Sequence, residues 1–501
     1  MLMAHRPVLD SRMPMPPVAP APAQDRERYQ HIDDNAIVQA AQHPISTFSI
    51  DVDTGSYSNV RRFLNAGSLP PVDAVRVEEL INYFRYDDPA PTNGQPFAVR
   101  TELATTPWNK DSLLLRVGIA GRDIATVDLP PANLVFLVDV SGSMDAPDKL
   151  PLLQSSLKLL VRQLRAQDRI TLVTYAGNTS VVLPPTPGDQ QGRIVEAIDA
   201  LQSGGSTAGA SGIELAYKAA QQGYLRGGIN RILLATDGDF NVGVTNFDQL
   251  KGMVAEKRRS GIALSTLGFG TGNYNDNLME QLADAGDGAY AYIDTALEAR
   301  KVLTHELGAT LATIARDVKI QVEFNPNTVK EYRLIGYENR ALRDEDFNND
   351  QVDAGDIGAG HTVTALYEIT PADGTASVDP LRYASAAQPT QARPLNGELA
   401  HVKLRYKRPD AQRSQLLDTV VRSSQRKALN ATSDAFRFSA AVAGFGQRLR
   451  GGNQLRGWDY PQVRALAAGS LGSDRFGYRA DFLQLVQQAD ALSTRPLADT
   501  D

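Results

Sequence analysis

The sequence predicts an α/β fold: a doubly wound domain at residues 131–305, inserted between flanking β-rich segments, with helical N- and C-terminal parts. Three observations carry this. From residue 133 to about 305, apolar strand-like runs alternate with amphipathic helical runs, the pattern of a mainly parallel sheet covered on both faces. Runs of alternating polarity occur on both sides of that stretch, at 97–120 and again after 315. The last ninety or so residues, from 409 to 501, show helical spacing of their large apolar side chains.

Taken in order, the first segment is residues 1–28, which contain the Pro/Ala tract PMPPVAPAPA at 14–23. Such a composition forms no core and reads as an extended tail or tether. The N-terminus MLMAHRPVLDSR has no apolar stretch of signal-peptide length, so export would require a signal outside this sequence. Residues 29–95 form an α/β segment: Phe48, Ile50 and Val52 alternate as in a strand, and Asp53 is expected to cap a helix that Gly67 ends. A second helix after Pro71 would carry Val75, Leu80, Ile81 and Phe84.

Residues 96–130 and 306–408 are expected to share one β-rich module, because unpaired strand edges are avoided. Between them, LVFLVDV is apolar throughout, as suits a strand buried on both faces. Leu153, Leu157, Leu160, Val161 and Leu164 make the stripe of the helix that follows. RITLVTYAG and NTSVVLP flank a Gly177-Asn178 turn and predict a hairpin at the sheet edge. RILLATDG, IALSTLGFG and AYAYID supply the remaining strands. In the helical region 409–501, Phe438, Val442, Phe445 and Leu449 share one face, as do Phe482, Leu485, Val486, Ala489 and Leu492.

Composition narrows the function. Net charge is -7, which argues against a nucleic-acid partner. The chain has no cysteine, so thiolate zinc sites, iron–sulfur clusters and disulfides are excluded. No apolar run is long enough to span a bilayer. HExxH, G-x-S-x-G and Walker A patterns do not occur, and a non-enzymatic protein is expected.

The chemistry-bearing residues lie at strand ends. D-V-S-G-S at 139–143 follows an apolar strand and precedes a helix. GGSTAG places Thr207 in a loop before a helix, and ATDGDFN places Asp237 after another strand. A doubly wound sheet brings such loops together at its topological switch point. Hydroxyl and carboxylate oxygens suit a hard cation, Mg²⁺ or else Mn²⁺ or Ca²⁺. If the two aspartates act through water, they and three neutral hydroxyls would leave the cation under-neutralised and open to a carboxylate from a partner.

Asp139, Ser141, Ser143, Thr207 and Asp237 together resemble the metal-ion-dependent adhesion site of von Willebrand factor type A (VWA) domains. That resemblance implies a Rossmann-like fold for 131–305, direct coordination by Ser141, Ser143 and Thr207, and coordination through water by Asp139 and Asp237. The wider chain is similar to bacterial envelope VWA proteins of the YfbK type, through STFSIDVDTGSYSNVRRFL before the domain and YRLIGYENR and GAGHTVTALYEI after it. The resemblance implies metal-dependent binding of a protein ligand that supplies an Asp or Glu carboxylate, in the periplasm or cell envelope, with the N-terminus as a candidate membrane tether and no transmembrane span in this chain. Two other readings stay open: an envelope assembly scaffold with a structural metal, and an accessory subunit of an ATPase or metal-insertion machine.

Weaker patterns have plainer readings. Asp51-Val52-Asp53-Thr54 follows a strand, as does the nucleophile loop of haloacid-dehalogenase-type phosphatases, but the sheet that chemistry needs does not follow it. Asp346, Asn348 and Asp350 match the start of a calcium loop, yet Gln351 and Ile357 stand where glycine and glutamate are required. GFGTGN at 268–273 reads as a strand-to-helix turn.

Overall fold

The computed structural model describes residues 27–92, 94–205, 209–238, 247–378, 397–409 and 411–494. The inserted domain is built on a six-stranded sheet. From one edge its strands are Tyr290–Ile293, Ala263–Phe269, Ile229–Thr236, Ala132–Asp139, Arg169–Tyr175 and Thr179–Pro187. All neighbours are parallel except the final pair, the antiparallel hairpin. Ala132–Asp139 is buried at every residue. Leu134, Phe136 and Val138 face a core that includes helix Leu150–Val161, while Val135 and Leu137 face helices Gly209–Gln222 and Phe247–Lys257 on the other side. Strand order reverses between Ala132–Asp139 and Ile229–Thr236, so the switch point lies at their carboxyl ends.

Strands from both sides of this domain close into a sandwich. One sheet runs Val38–Gln39, Val329–Ile335, Thr362–Pro371, Asn109–Gly121, Phe97–Thr106 and Arg426–Lys427. The other contains Ile357–Gly358, Thr313–Phe324, Glu398–Lys407 and Gln415–Arg422, with Ile45–Ser49 paired to Thr313–Phe324. Their inner faces share one core, in which Leu115, Val117 and Ile119 meet Ile320, Val322, Leu404 and Phe48. The outer face of the first sheet, through Ala104, Leu114 and Leu366, packs against helices from both ends of the chain. These are Gly55–Asn65 and Val77–Asn82 with Asp434–Leu449, Tyr460–Ala468 and Tyr478–Ser493. Phe84, Phe438 and Phe482 make an edge-to-face cluster at their centre.

Three readings of the sequence need correction. Residues 415–422, placed in the helical C-terminal region, form the edge strand Gln415–Arg422 of the sandwich. Only Val421 of its residues is buried and Leu416 is 55% exposed, so no clean alternation marks it. Asp53 does not cap the first helix; Thr54 holds that position without a side-chain bond. Asp53 instead accepts the backbone N–H of Tyr290 at 2.8 Å and a hydrogen bond from Arg340 at 3.2 Å. The second helix is short, Val77–Asn82, preceded by a 3-10 turn at Val72–Ala74.

The N-terminal segment docks on the edge strand of the inserted domain. Gly55 lies against the ring of Tyr290, where an added Cβ would come within 2.2 Å of Cε1. Arg61 crosses the seam to bond Asp294 at 2.8 Å and Glu298 at 2.7 Å. Among the described residues, no helix is long and apolar enough to cross a membrane.

Candidate metal-dependent adhesion site

Asp139 ends its strand fully buried, and its two oxygens have separate tasks. Oδ1 accepts the backbone N–H of Ser141 at 2.9 Å, folding the chain back on itself. Oδ2 accepts the hydroxyl of Thr236 at 2.7 Å, tying the loop to the end of the neighbouring strand. Thr236 Oγ1 in turn accepts the N–H of Gly238 at 3.0 Å, which fixes the backbone on either side of Asp237. Burial pushes the Asp139 carboxyl up to about 6, against the lowering effect of the bonds from Ser141 and Thr236; the charge of Asp237 adds to the rise.

The tight turn at Asp139 brings Ser141 and Ser143 to one side, their Oγ atoms 3.1 Å apart. Ser141 is buried and Ser143 is partly exposed, so the pair opens outward. The loop that leads toward Thr207 is fastened to the same turn. Gly204 N donates to Val140 O at 2.7 Å, Gly142 N to Gly205 O at 3.1 Å, and Ser203 Oγ to Asp145 Oδ1 at 2.7 Å. Thr207 itself lies outside the described residues. Of the five residues predicted to form the site, the structure thus brings Asp139, Ser141, Ser143 and Asp237 to the switch point.

Lys149 and Asn273 were not legible as site residues. Lys149 Nζ donates to Asp237 Oδ2 at 2.9 Å and to Asn273 Oδ1 at 2.8 Å, and Asn273 Nδ2 donates to the same Asp237 oxygen at 3.1 Å. Asn273 comes from the GFGTGN turn, where Gly270 and Gly272 both have positive φ. A lysine just before a helix ordinarily reads as solvated surface. Its only clue was the chain reversal that a glycine-rich turn at the next strand end imposes.

The donor set fits a hard cation. Adjacent ligands of an octahedral Mg²⁺ stand about 2.9 Å apart, from bonds of ~2.05 Å at right angles. The hydroxyl pair, at 3.1 Å, is close to that spacing. The weaker patterns are accounted for otherwise. Asp51 and Asp53 are held by Arg340, Asp346 by Arg343, and Asp350 by Arg405.

A doubly wound sheet with the turn Asp139–Ser143 and Asp237 at its switch point defines a VWA domain, a class that commonly binds other proteins. Residues 133–306 match the von Willebrand factor type A domain family, 23–116 match a family described as von Willebrand factor, and 309–492 match the C-terminal family of uncharacterized protein YfbK. The chain belongs to the YfbK-type family of bacterial VWA proteins. It is 51% identical over 473 residues to the uncharacterized protein YfbK of Escherichia coli, covering 93% of this chain and 81% of that protein. An uncharacterized Synechocystis protein, sll0103, is 28% identical over 37% of this chain and 43% of its own. Among solved structures, a von Willebrand factor type A protein from Catenulispora acidiphila aligns over 83% of this chain and 99% of its own, at 15% identity and a TM-score of 0.43.

Proposed function

We propose that this protein is a non-enzymatic, divalent-metal-dependent binding module of the cell envelope that captures a carboxylate on a protein partner. The observation that carries this is the oxygen-only turn at the switch point. Ser141 and Ser143 hold their hydroxyls 3.1 Å apart at a partly exposed opening, above two buried aspartates. Ser141, Ser143 and Thr207 would hold Mg²⁺, or Mn²⁺ or Ca²⁺, directly, and Asp139 and Asp237 through water. The bound cation supplies an electrophilic position that an Asp or Glu side chain completes. Asp139 keeps the turn closed through Ser141 N and Thr236, so the hydroxyls are placed before any ligand arrives. The loops around the opening, including 203–205 and 270–273, give specificity.

The envelope location is supported by the Pro/Ala tract at 14–23, which suits a tether. Fractionation of cells expressing the native gene checks it, and recovery with cytosolic markers overturns it. The binding reading is tested by isothermal titration with Mg²⁺ and by thermal melting with and without the ion. Wild type is expected to gain stability with Mg²⁺ by mass action, and Asp139→Ala is not. Capture of an envelope partner should be lost in chelator. If metal raises the melting temperature but chelator leaves capture unchanged, the scaffold reading replaces adhesion.

A further inference from the structure

We propose that Lys149 is a fixed internal cation of the adhesion site, one that weakens divalent-ion binding and strengthens capture of an anionic partner group. The inference rests on the metal-site reading above and names what governs its selectivity. Lys149 is the residue before helix Leu150–Val161 and is 6% exposed. Its stem runs over Gly270, where an added Cβ would stand 2.3 Å from both Cγ and Cε. Only glycine leaves room for the lysine, and Gly270 has φ of +77°, so its backbone favours glycine too. The ammonium is therefore held in place along its whole length.

At its head, the ammonium donates to Asp237 and to the Asn273 carbonyl, while the Asn273 amide donates back to the same Asp237 oxygen. This closed triangle fixes the orientation of Asn273 and keeps the positive charge on Asp237. Burying an ammonium is costly unless it is paired, and an amide could have made the same hydrogen bonds without that cost. The charge itself is what distinguishes lysine here.

Among the described residues of the buried floor, Asp139 and Asp237 carry two negative charges and Lys149 one positive. The floor is then -1 without a metal and +1 with a divalent ion. Without Lys149 it would be -2 and then neutral. A floor of -1 holds a dication less tightly than one of -2, and a loaded site of +1 attracts a carboxylate more strongly than a neutral one. Asp145 and Asp148 stand on the same loop, at exposed or partly exposed positions where water screens them. Asp145 accepts from Ser203, and Asp148 accepts from Thr271 at 3.4 Å.

The test uses the full chain, with Mn²⁺ followed by electron paramagnetic resonance and acetate followed by water-proton relaxation of the Mn²⁺-loaded protein. Lys149→Met and Lys149→Gln are compared with wild type after circular dichroism confirms folding. Both variants are expected to bind Mn²⁺ more tightly, on the order of tenfold, and to need roughly tenfold more acetate to displace bound water. Glutamine keeps a hydrogen-bond donor for Asp237, so it separates charge from positioning. Mn²⁺ affinity that is unchanged or lower in Lys149→Gln overturns the proposal and leaves Lys149 a positioning residue for Asp237. Absence of Mn²⁺ binding in wild type and both variants overturns the metal-site reading itself, and this inference with it.

Discussion

Two groups of buried carboxylates, one inside the VWA domain and one at its seam with the N-terminal segment, are held in different ways. At the switch point, the partners of Asp139 and Asp237 among the described residues include a peptide N–H, the Thr236 hydroxyl, the Asn273 amide and the Lys149 ammonium. Along the edge strand Tyr290–Ile293, Asp53, Glu79, Asp276 and Glu280 are met by two guanidinium groups, Arg76 and Arg340. Arginine spans several acceptors at once with a rigid fork, so it ties together carboxylates from separate segments. Asn339 donates to Glu280 at 2.8 Å and Tyr290 OH to Asp276 at 2.6 Å, extending the same network. The first group faces outward through small side chains; the second joins the N-terminal segment and the sandwich to the inserted domain. Carboxylate number does not separate binding from fastening. The shape and reach of the counter-charge do.

The sharpest way to break this contrast is to remove a guanidinium. Arg76→Met leaves Glu79, Asp276 and Glu280 without their shared cation, and breaking a buried pair from one side costs about 3 kcal/mol. Urea unfolding should show that loss, while Mg²⁺-dependent stabilisation of the VWA domain remains. If the metal response disappears together with stability, the seam and the adhesion site are not separate. The next effect is at Asp139. Asp139→Ala strands the Ser141 N–H and the Thr236 hydroxyl, at about 2 kcal/mol without metal. It should also abolish the Mg²⁺ gain, which Arg76→Met does not.

The two groups differ equally in how the sequence displays them. Asp139 ends an apolar strand, Ser141 and Ser143 follow within four residues, and Asp237 comes directly after another; parallel strand ends converge, so local pattern plus topology locates them. Asp53 looks like a helix cap because its true partners, Tyr290 and Arg340, are more than two hundred residues away. Lys149 is hidden for the same reason: Asp237 and Asn273 reach it only after the sheet has formed. The edge strand Gln415–Arg422 escaped because its exposed face weakens the period-two signal that inner strands carry. Burial writes periodicity into a sequence. Pairing across the fold does not.

Acidity sharpens the comparison at the seam. Burial raises the Glu79 carboxyl from 4.5 to about 8, opposed by Arg76, and raises Glu78, Asp53 and Glu280 in the same direction. A carboxyl raised in the folded state binds more protons there than in the unfolded chain. The contribution of Glu79 to stability therefore falls as pH rises from about 4.5 to about 8, and flattens above that. Glu79→Gln should reduce the fall, so that the variant improves on wild type by ~1 kcal/mol more at pH 8 than at pH 5. Urea midpoints at the two pH values measure this. An identical pH slope in both proteins would mean that Glu79 is ionised in the fold and held fully by Arg76.

The smallest expected effect on folding is also the most selective for function. Thr207 lies beyond the loop 203–205 that is fastened to the turn Asp139–Ser143, and it precedes helix Gly209–Gln222. Its proposed task is one metal–oxygen bond. Thr207→Ala should leave melting in chelator within ~0.5 kcal/mol of wild type, the range of mild surface changes. With Mg²⁺ the two proteins should part, because a ligand that binds only the folded state stabilises by mass action and the variant binds it less well. Asp139→Ala lowers stability in chelator as well, so the pair of variants separates a residue that only holds the ion from one that also builds the turn. Melting temperatures of the three proteins, with and without Mg²⁺, read this directly. Equal metal-induced shifts in wild type and Thr207→Ala would remove Thr207 from the ligand set and leave Ser141 and Ser143 as its only hydroxyls.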